Sequence, residues 1–210
     1  MKRVEVLVLD EADRLFEKRL LPNMQALTEA MPTLSQVILA TATIDEQFRA
    51  KHLKELLKIK LDFVKHSTFE GVQTVSTLTQ NYIFTPEELK AGYLLQIVNS
   101  YPKYKTIIFV KTCKECTLVF ETLKKLEYPA TQLHSFMKNS QRIANLATFR
   151  SGQVNILVTT DLTSRGLDIA NVHLVINYHL PRTVADYVHR VGRTARHGLQ
   201  GEAISLLTPN

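Results

Sequence analysis

Three carboxylates follow a short apolar run near the start of the chain. The run is VEVLVLD, residues 4–10, and it brings Asp10, Glu11 and Asp13 to its end. A carboxylate at the end of a buried strand can hold Mg²⁺ through water, and its neighbour can orient or deprotonate an attacking water. This pattern favours a magnesium–nucleotide site. A strand followed by a helix with an acidic first turn is the alternative interpretation.

A second apolar run ends in small hydroxyl residues. It is LATAT, residues 39–43, in which Thr41 and Thr43 could hydrogen-bond the neighbouring acids and relay their state. Taken alone, however, a threonine at a helix N-cap is the simpler interpretation of this stretch.

The stretch VTTDLTSRGLDIANV, residues 158–172, also carries polar groups beyond a strand end. Arg165 can meet a phosphate, Gly166 permits close approach of the backbone to a ligand, and Asp168 can accept a hydrogen bond from a ribose hydroxyl. A buried Arg–Asp pair that braces a turn is the alternative.

Three arginines recur at every third position in YVHRVGRTARHG, residues 187–198. On a helix that begins near Thr183, Arg190, Arg193 and Arg196 would lie broadly on one side, with His189 beside them. Such arginines suit a polyphosphate, and an arginine that reaches a γ-phosphate stabilises the transition state of phosphoryl transfer. A basic surface helix is the alternative, although Gly192 in its middle would weaken it.

Alternating strands and helices must position these groups. The strand-like runs cover residues 4–10, 36–42, 81–85, 106–110, 130–135, 155–161, 172–178 and 202–208. Several are continuously apolar, as in parallel strands buried on both faces, so the sequence predicts an α/β fold with ligands at the carboxyl ends of the strands. The Ser/Thr-rich stretch 67–79 is predicted to link a partial first domain, 1–66, to a complete second domain, 80–210.

The motifs together resemble one family. VLDEAD, TAT, IIFVKT, the region of Arg142, TTDLTSRGLDI and HRVGRTAR occur in the sequence of a DEAD-box RNA helicase, a superfamily 2 enzyme with two RecA-like domains. The stretches VKTCKEC and LHSFMKNSQR are most similar to the subgroup that acts in nucleolar ribosome assembly. The resemblance covers essentially all 210 residues.

The resemblance implies ATP and Mg²⁺ as cofactors and a role for each motif residue. Asp10 would hold Mg²⁺ through water, and Glu11 would activate the hydrolytic water. The arginine fingers would be Arg193 and Arg196. Nucleotide contacts would also come from Gly166 and Asp168, and coupling between nucleotide and RNA from Asp13, Thr41, Thr43 and His189.

RNA is the partner that the resemblance implies, bound through its backbone with little base specificity. Its contacts would be Arg142, Thr160, Arg165, Gly166 and the end of the IIFVKT strand. Asn139 stands where the family usually has a longer glutamine. The resemblance further implies a monomer that meets protein cofactors of ribosome assembly in the nucleus or nucleolus, or otherwise in the cytoplasm.

The 210 residues contain no G-x-x-x-x-G-K-[ST] phosphate loop. We therefore expect an N-terminally truncated helicase chain with negligible ATPase activity by itself. A non-catalytic RecA-like module that binds RNA or protein is the alternative.

Composition is consistent with these expectations. The net charge of +6 permits a polyanionic partner. Acids directly after the first apolar run argue against a secretory signal, and no apolar run reaches the length of a membrane span. Cys113 and Cys116, without a second ligand pair, are not expected to bind a metal.

Overall fold

The chain divides into two compact units, Met1–Gln73 and Thr74–Asn210. The structure is a computed structural model. It describes residues 3–15, 20–31, 35–41, 76–161, 172–196 and 198–209.

In the first unit, two parallel strands pack against a helix. The elements are β1 (Val6–Leu9), α1 (Ala12–Leu15), α2 (Leu21–Glu29) and β2 (Gln36–Leu39). The strands pair in register, with Val6 opposite Gln36 and Leu9 opposite Leu39. Met24 of α2 packs with Leu9 in a small apolar core.

The second unit is a six-stranded sheet of parallel strands in the order β3-β8-β7-β4-β6-β5. Its strands are β3 (Leu78–Phe84), β4 (Thr106–Phe109), β5 (Ala130–Leu133), β6 (Ile156–Thr159), β7 (Leu174–Asn177) and β8 (Gly201–Leu207). Its helices are α3 (Lys90–Ser100), α4 (Cys113–Lys125), α5 (Asn139–Arg150) and α6 (Val184–Val191), and a short 3-10 helix covers Glu87–Leu89. The predicted parallel α/β architecture is confirmed, and each of the eight predicted runs overlaps a strand.

Apolar layers lie on both faces of the six-stranded sheet. One layer joins α3 and α4 to side chains such as Ile108 and Ile176, and the other joins α5 and α6 to their neighbours Ile107 and Val175. Successive strand residues point to opposite faces, so a central strand buried on both sides is continuously apolar. This is why β4, β6 and β7 have no polar alternation.

Local capping explains where two of the helices begin. At α4, the Thr112 hydroxyl accepts from the backbone N–H of Glu115, and the Glu115 carboxylate accepts from the backbone N–H of Thr112. At α6, the Thr183 hydroxyl accepts from the backbone N–H of Asp186. Both helices follow a strand, so the caps set where the chain turns away from the carboxyl edge of the sheet.

The predicted linker lies partly outside the described residues, at positions 67–75. The strand β3 begins at Leu78, two positions before the predicted start of the second domain. Among the described residues, the helices are too short or too polar to cross a membrane.

Candidate functional site

The acidic motif lies at the carboxyl end of β1. Asp10 is exposed directly after the strand, and its Oδ1 accepts from the backbone N–H of Glu11 at 2.8 Å. Glu11 has a φ of 49°, in the left-handed region that costs a non-glycine residue on the order of 1 kcal/mol. The strained turn ends the strand and starts α1, and it keeps both carboxylates at the edge of the sheet.

Backbone hydrogen bonds join the acidic motif to the end of β2. The N–H of Ala12 donates to the carbonyl of Ala40 at 3.1 Å, and the N–H of Ala40 donates to the carbonyl of Leu9 at 2.8 Å. These bonds bring half-buried Thr41 next to the start of α1. Asp13 lies within α1, but its side chain and the whole of Thr43 lie outside the described residues.

In the second unit, Asp161 lies two residues after β6 and pairs with Arg190 of α6. The Nε and Nη2 of Arg190 donate to the two carboxylate oxygens of Asp161, at 2.5 Å and 2.8 Å. Its Nη1 donates to Asn177 Oδ1 at 3.1 Å and to the carbonyl of His179 at 2.5 Å. The guanidinium also lies over the ring of Phe109, 5.0 Å from the centroid.

These contacts correct the prediction for Arg190. This arginine is only 2% exposed, and its donors already bind partners from the ends of β6 and β7. It braces α6 against the sheet. The sequence interpretation that grouped it with arginines available to a polyphosphate was wrong, because a buried guanidinium needs carboxylate and carbonyl partners of its own.

The predicted continuation of this helix through Arg196 was also wrong. The helix α6 ends at Val191 with Gly192 as its C-cap, and the N–H of Arg193 donates to the carbonyl of Arg190 at 3.1 Å in a tighter turn. Arg193 is buried, whereas Arg196 is half-buried and its Nε donates to the carbonyl of Gly192 at 2.6 Å. We call residues 192–196 the arginine turn.

The arginine turn is fixed against the sheet by its central residues. The Thr194 hydroxyl donates to the carbonyl of Val172 at 2.7 Å. A Cβ on Gly201 would lie 2.2 Å from Thr194 Oγ1 and 2.4 Å from the backbone nitrogen of Ala195, so only glycine fits there. Ala195 has a φ of 55°, in the left-handed region that favours glycine.

The described residues among those predicted to contact RNA lie along the carboxyl edge of the second sheet. Thr160 follows β6 and is buried, and exposed Lys111 comes two residues after β4. Arg142 lies near the start of α5, and its Nε is buried without a hydrogen-bond partner among the described residues. Asn139, the residue that replaces the family's glutamine, is exposed at the first position of α5.

Several other predicted site residues are less fully described. Arg165, Gly166 and Asp168 lie outside the described residues, so the structure does not place them. His189 is half-buried within α6, one residue before the bracing Arg190.

Sequence reasoning missed a charged cluster at the same edge of the sheet. His179 Nε2 lies 3.4 Å from a carboxylate oxygen of Glu115 and 3.7 Å from one of Glu87. Glu87 also pairs with buried Lys90 at 3.1 Å, and the Lys90 ammonium lies 5.1 Å from the centre of the Tyr178 ring. These residues come from three separate segments, so no local pattern connects all of them.

Burial and the charge of Lys90 lower the pKa of His179 below its usual range, and Glu115 and Glu87 oppose that shift. Burial also raises the pKa of Cys116 to about 12, and its thiol donates to the carbonyl of Val158 at 3.3 Å. Cys116 is therefore a packed thiol at neutral pH.

Two family models match this chain, one over the range that holds the strand-end acids and one over the range that holds the arginine turn. The model of the DEAD/DEAH box helicase family matches residues 1–51, and that of the helicase conserved C-terminal domain matches residues 89–198. The chain belongs to the DEAD-box helicase family. This confirms the resemblance found in the motifs, and the family is one of ATP-dependent RNA helicases.

Named relatives support the assignment. Probable ATP-dependent RNA helicase DDX49 of Mus musculus is 40% identical over 99% of this chain and 44% of its own length. ATP-dependent rRNA helicase RRP3 of Gibberella zeae is 38% identical over 99% of this chain and 42% of its own length. The chain thus spans less than half the length of these relatives.

A solved DEAD-box structure has the same fold. The structure of S. cerevisiae Dbp5 bound to RNA and ADP BeF3 matches with a TM-score of 0.87 at 29% identity, covering 100% of this chain and 55% of that one. The predicted RecA-like fold is confirmed.

Proposed function

We propose that this DEAD-box chain takes part in ATP-dependent RNA unwinding or remodelling, with RNA-stimulated ATP hydrolysis. The observation that carries the proposal is the Asp10–Glu11 pair at the carboxyl end of β1, joined through Ala12 and Ala40 to the segment of Thr41. Residues 1–66 supply the acids of the ATP-binding domain, 67–79 the linker and 80–210 the second RecA-like domain.

Asp10 suits Mg²⁺ because a hard cation prefers carboxylate oxygens and Asp10 is exposed at a strand end. It would hold the ion through water, and the ion would supply charge neutralisation at the transferring phosphate. Glu11 orients the attacking water and takes its proton. The turn that holds Glu11 at a left-handed φ fixes the direction of its side chain relative to Asp10.

Arg193 and Arg196 stabilise the negative charge that develops at the γ-phosphate. Support comes from the way the arginine turn is held, since Thr194 and Gly201 limit its movement. A donor that is already in position when charge develops needs little reorganisation. Gly166 and Asp168 complete the proposed nucleotide contacts of this unit.

RNA binds through its backbone at Arg142, Thr160, Arg165 and Gly166. Asp13, Thr41, Thr43 and His189 couple nucleotide state to RNA binding. Arg142 supports this proposal, because it is only half-buried near the start of α5 and a guanidinium can donate two parallel hydrogen bonds to a phosphate.

The biological setting belongs to the same proposal. The Gibberella zeae relative is named an rRNA helicase, which supports a role in ribosome assembly and a nucleolar location. RNA and protein cofactors of ribosome assembly are the proposed partners, and the proposed state is a monomer.

A chimera tests the catalytic assignment. The chain is joined to the segment that precedes the matched region in mouse DDX49, and ATP hydrolysis is measured with and without RNA. Glu11→Gln should lower RNA-stimulated turnover by about 10²- to 10⁴-fold, since it keeps the shape but removes the base.

Glu5→Gln is the control, because Glu5 is another glutamate of the first unit, is exposed and should leave turnover unchanged. Equal losses in the two variants would contradict the role of Glu11. Equal stimulation by RNA and by DNA of the same sequence would contradict the choice of RNA.

A further inference from the structure

The turn between β5 and α5 exposes a phenylalanine. Phe136 is 86% exposed, the largest value among the exposed large hydrophobic residues of the described chain. An aromatic side chain contributes 150–250 Å² of burial when it is covered, so leaving one in water gives up a substantial stabilisation. The position of this turn indicates what covers the ring.

Hydrogen bonds place this turn on the edge that carries the proposed RNA contacts. Leu133 pairs with Thr159 in register, so the residues after β5 lie level with Thr160. At one end of the turn, Ser135 Oγ lies 3.4 Å from Cys113 Sγ at the start of α4. At the other end, the carbonyl of Lys138 accepts from the backbone N–H of Arg142 at 3.0 Å.

Charge around the turn favours a polyanion. Residues 128–160 contain no aspartate or glutamate, whereas Lys138 and Arg142 flank Phe136 on its C-terminal side. Lys138 is exposed, and Arg142 has the buried, unpartnered Nε described above. A basic surface with an aromatic side chain is the arrangement by which proteins bind single-stranded nucleic acid.

The stretch that directly follows the turn of Phe136 differs from the core of a protein interface. The positions that follow it, 138–141, are exposed and polar, whereas the core of a protein interface is a contiguous apolar surface. The exposed aromatics of β3 differ in this respect. Tyr82 and Phe84 form an edge-to-face pair with centroids 5.4 Å apart on the opposite edge strand of the sheet.

We propose that Phe136 stacks on an unpaired base of single-stranded RNA while Arg142 and Lys138 hold the adjacent phosphates. The inference rests on the proposed RNA binding and deepens it. It adds a base contact to an interface that otherwise reads the backbone. Because every base has an aromatic face, the contact increases affinity without selecting a sequence.

The test measures the affinity of the 210-residue chain for a short fluorescein-labelled single-stranded RNA. Phe136→Ala should weaken binding by about fivefold or more, and Phe136→Tyr and Phe136→Trp should retain affinity since both rings stack. Phe84→Ala is the matched control, the same substitution at another exposed phenylalanine on the opposite edge strand, and it should have no effect.

A second RNA set separates stacking from any indirect effect. Single bases are removed in turn to leave abasic ribose phosphates. At one position in the RNA, removal of the base should weaken binding to the unsubstituted chain but should not weaken binding to Phe136→Ala. Circular dichroism of each variant verifies the fold.

The outcomes distinguish the two proposals. If Arg142→Ala weakens RNA binding and Phe136→Ala does not, stacking is overturned and the proposed RNA contact of Arg142 stands. If the unsubstituted chain does not bind RNA, both proposals are overturned. Three results together support stacking. Phe136→Ala weakens RNA binding, Phe136→Tyr retains affinity, and removing a base no longer weakens RNA binding to Phe136→Ala.

Discussion

Two aspartates follow apolar parallel strands in this protein, and they have opposite surroundings. Asp10, after β1, is exposed and accepts a local backbone hydrogen bond. Asp161, after β6, is 31% exposed and forms a bidentate pair with Arg190, which is buried in α6. The same local pattern therefore leaves one carboxylate exposed and engages the other in an ion pair with a buried guanidinium.

In the second unit, some polar residues hold the structure and others are proposed to contact the nucleotide. Arg190 anchors α6 to the sheet, and the end of α6 determines the positions of Arg193 and Arg196. A mobile helix end would place those two guanidinium groups less well, and misplacement of a catalytic group by about 1 Å can cost on the order of 100-fold in rate. The brace thus contributes to the proposed function without contacting the nucleotide.

The largest effect is expected when the pair between Asp161 and Arg190 is broken. Asp161→Asn removes the charge opposite buried Arg190 and should lower the free energy of unfolding by about 3 kcal/mol, the lower end for a buried pair since Asp161 is partly exposed. Guanidinium denaturation followed by circular dichroism measures it. Asp10→Asn is the control and should change stability by no more than about 0.5 kcal/mol. Equal losses in the two variants would remove the distinction between the two aspartates.

A smaller effect is expected where the arginine turn meets β8. Gly201→Ala places a methyl group against Thr194 and the backbone of Ala195, so it should cost about 2 kcal/mol through overpacking. Gly92→Ala in α3 is the control, because a Cβ there meets nothing within 4 Å. That change should stabilise by up to about 1 kcal/mol, since alanine is the better helix former. An unchanged melting temperature for Gly201→Ala would mean that the turn is free to shift.

The smallest effect concerns the charged cluster beside the brace. The pKa of His179 is lowered in the folded state by burial and by Lys90. The unfolded chain therefore binds a proton first as the pH falls below about 6.5, so stability decreases from there down to the folded pKa. Lys111 also lowers this pKa, whereas Glu115 and Glu87 raise it.

The measurement is a histidine NMR titration together with denaturation midpoints between about pH 7 and pH 5. The ring of His179 should titrate below its usual pH range. In His179→Gln, stability should decrease less as the pH falls. An NMR titration midpoint of His179 above the usual range would mean that the two glutamates outweigh burial and Lys90. The sign of the pH dependence of stability would then reverse.

Much of the fold and part of the site could be predicted from sequence. Strand positions followed from continuous apolar runs, and the caps of α4 and α6 are threonines with an acid three residues later. Both signals act between near neighbours. The end of α6 was mispredicted because a glycine such as Gly192 is compatible both with an unfavourable interior position of a helix and with a C-cap. The packing of Thr194 against Gly201, which decides between them, is a tertiary contact.

The sequence by itself determined the family, the alternation of strands and helices, and the presence of acids and arginines beyond strand ends. Only the tertiary structure decided which of these groups are used structurally. Asp161 and Arg190 are 29 residues apart, and their pairing depends on the order of β6 and β7 in the sheet and on the docking of α6. Local propensity acts within a few residues, whereas the partner of a buried charge is chosen by sheet order and packing.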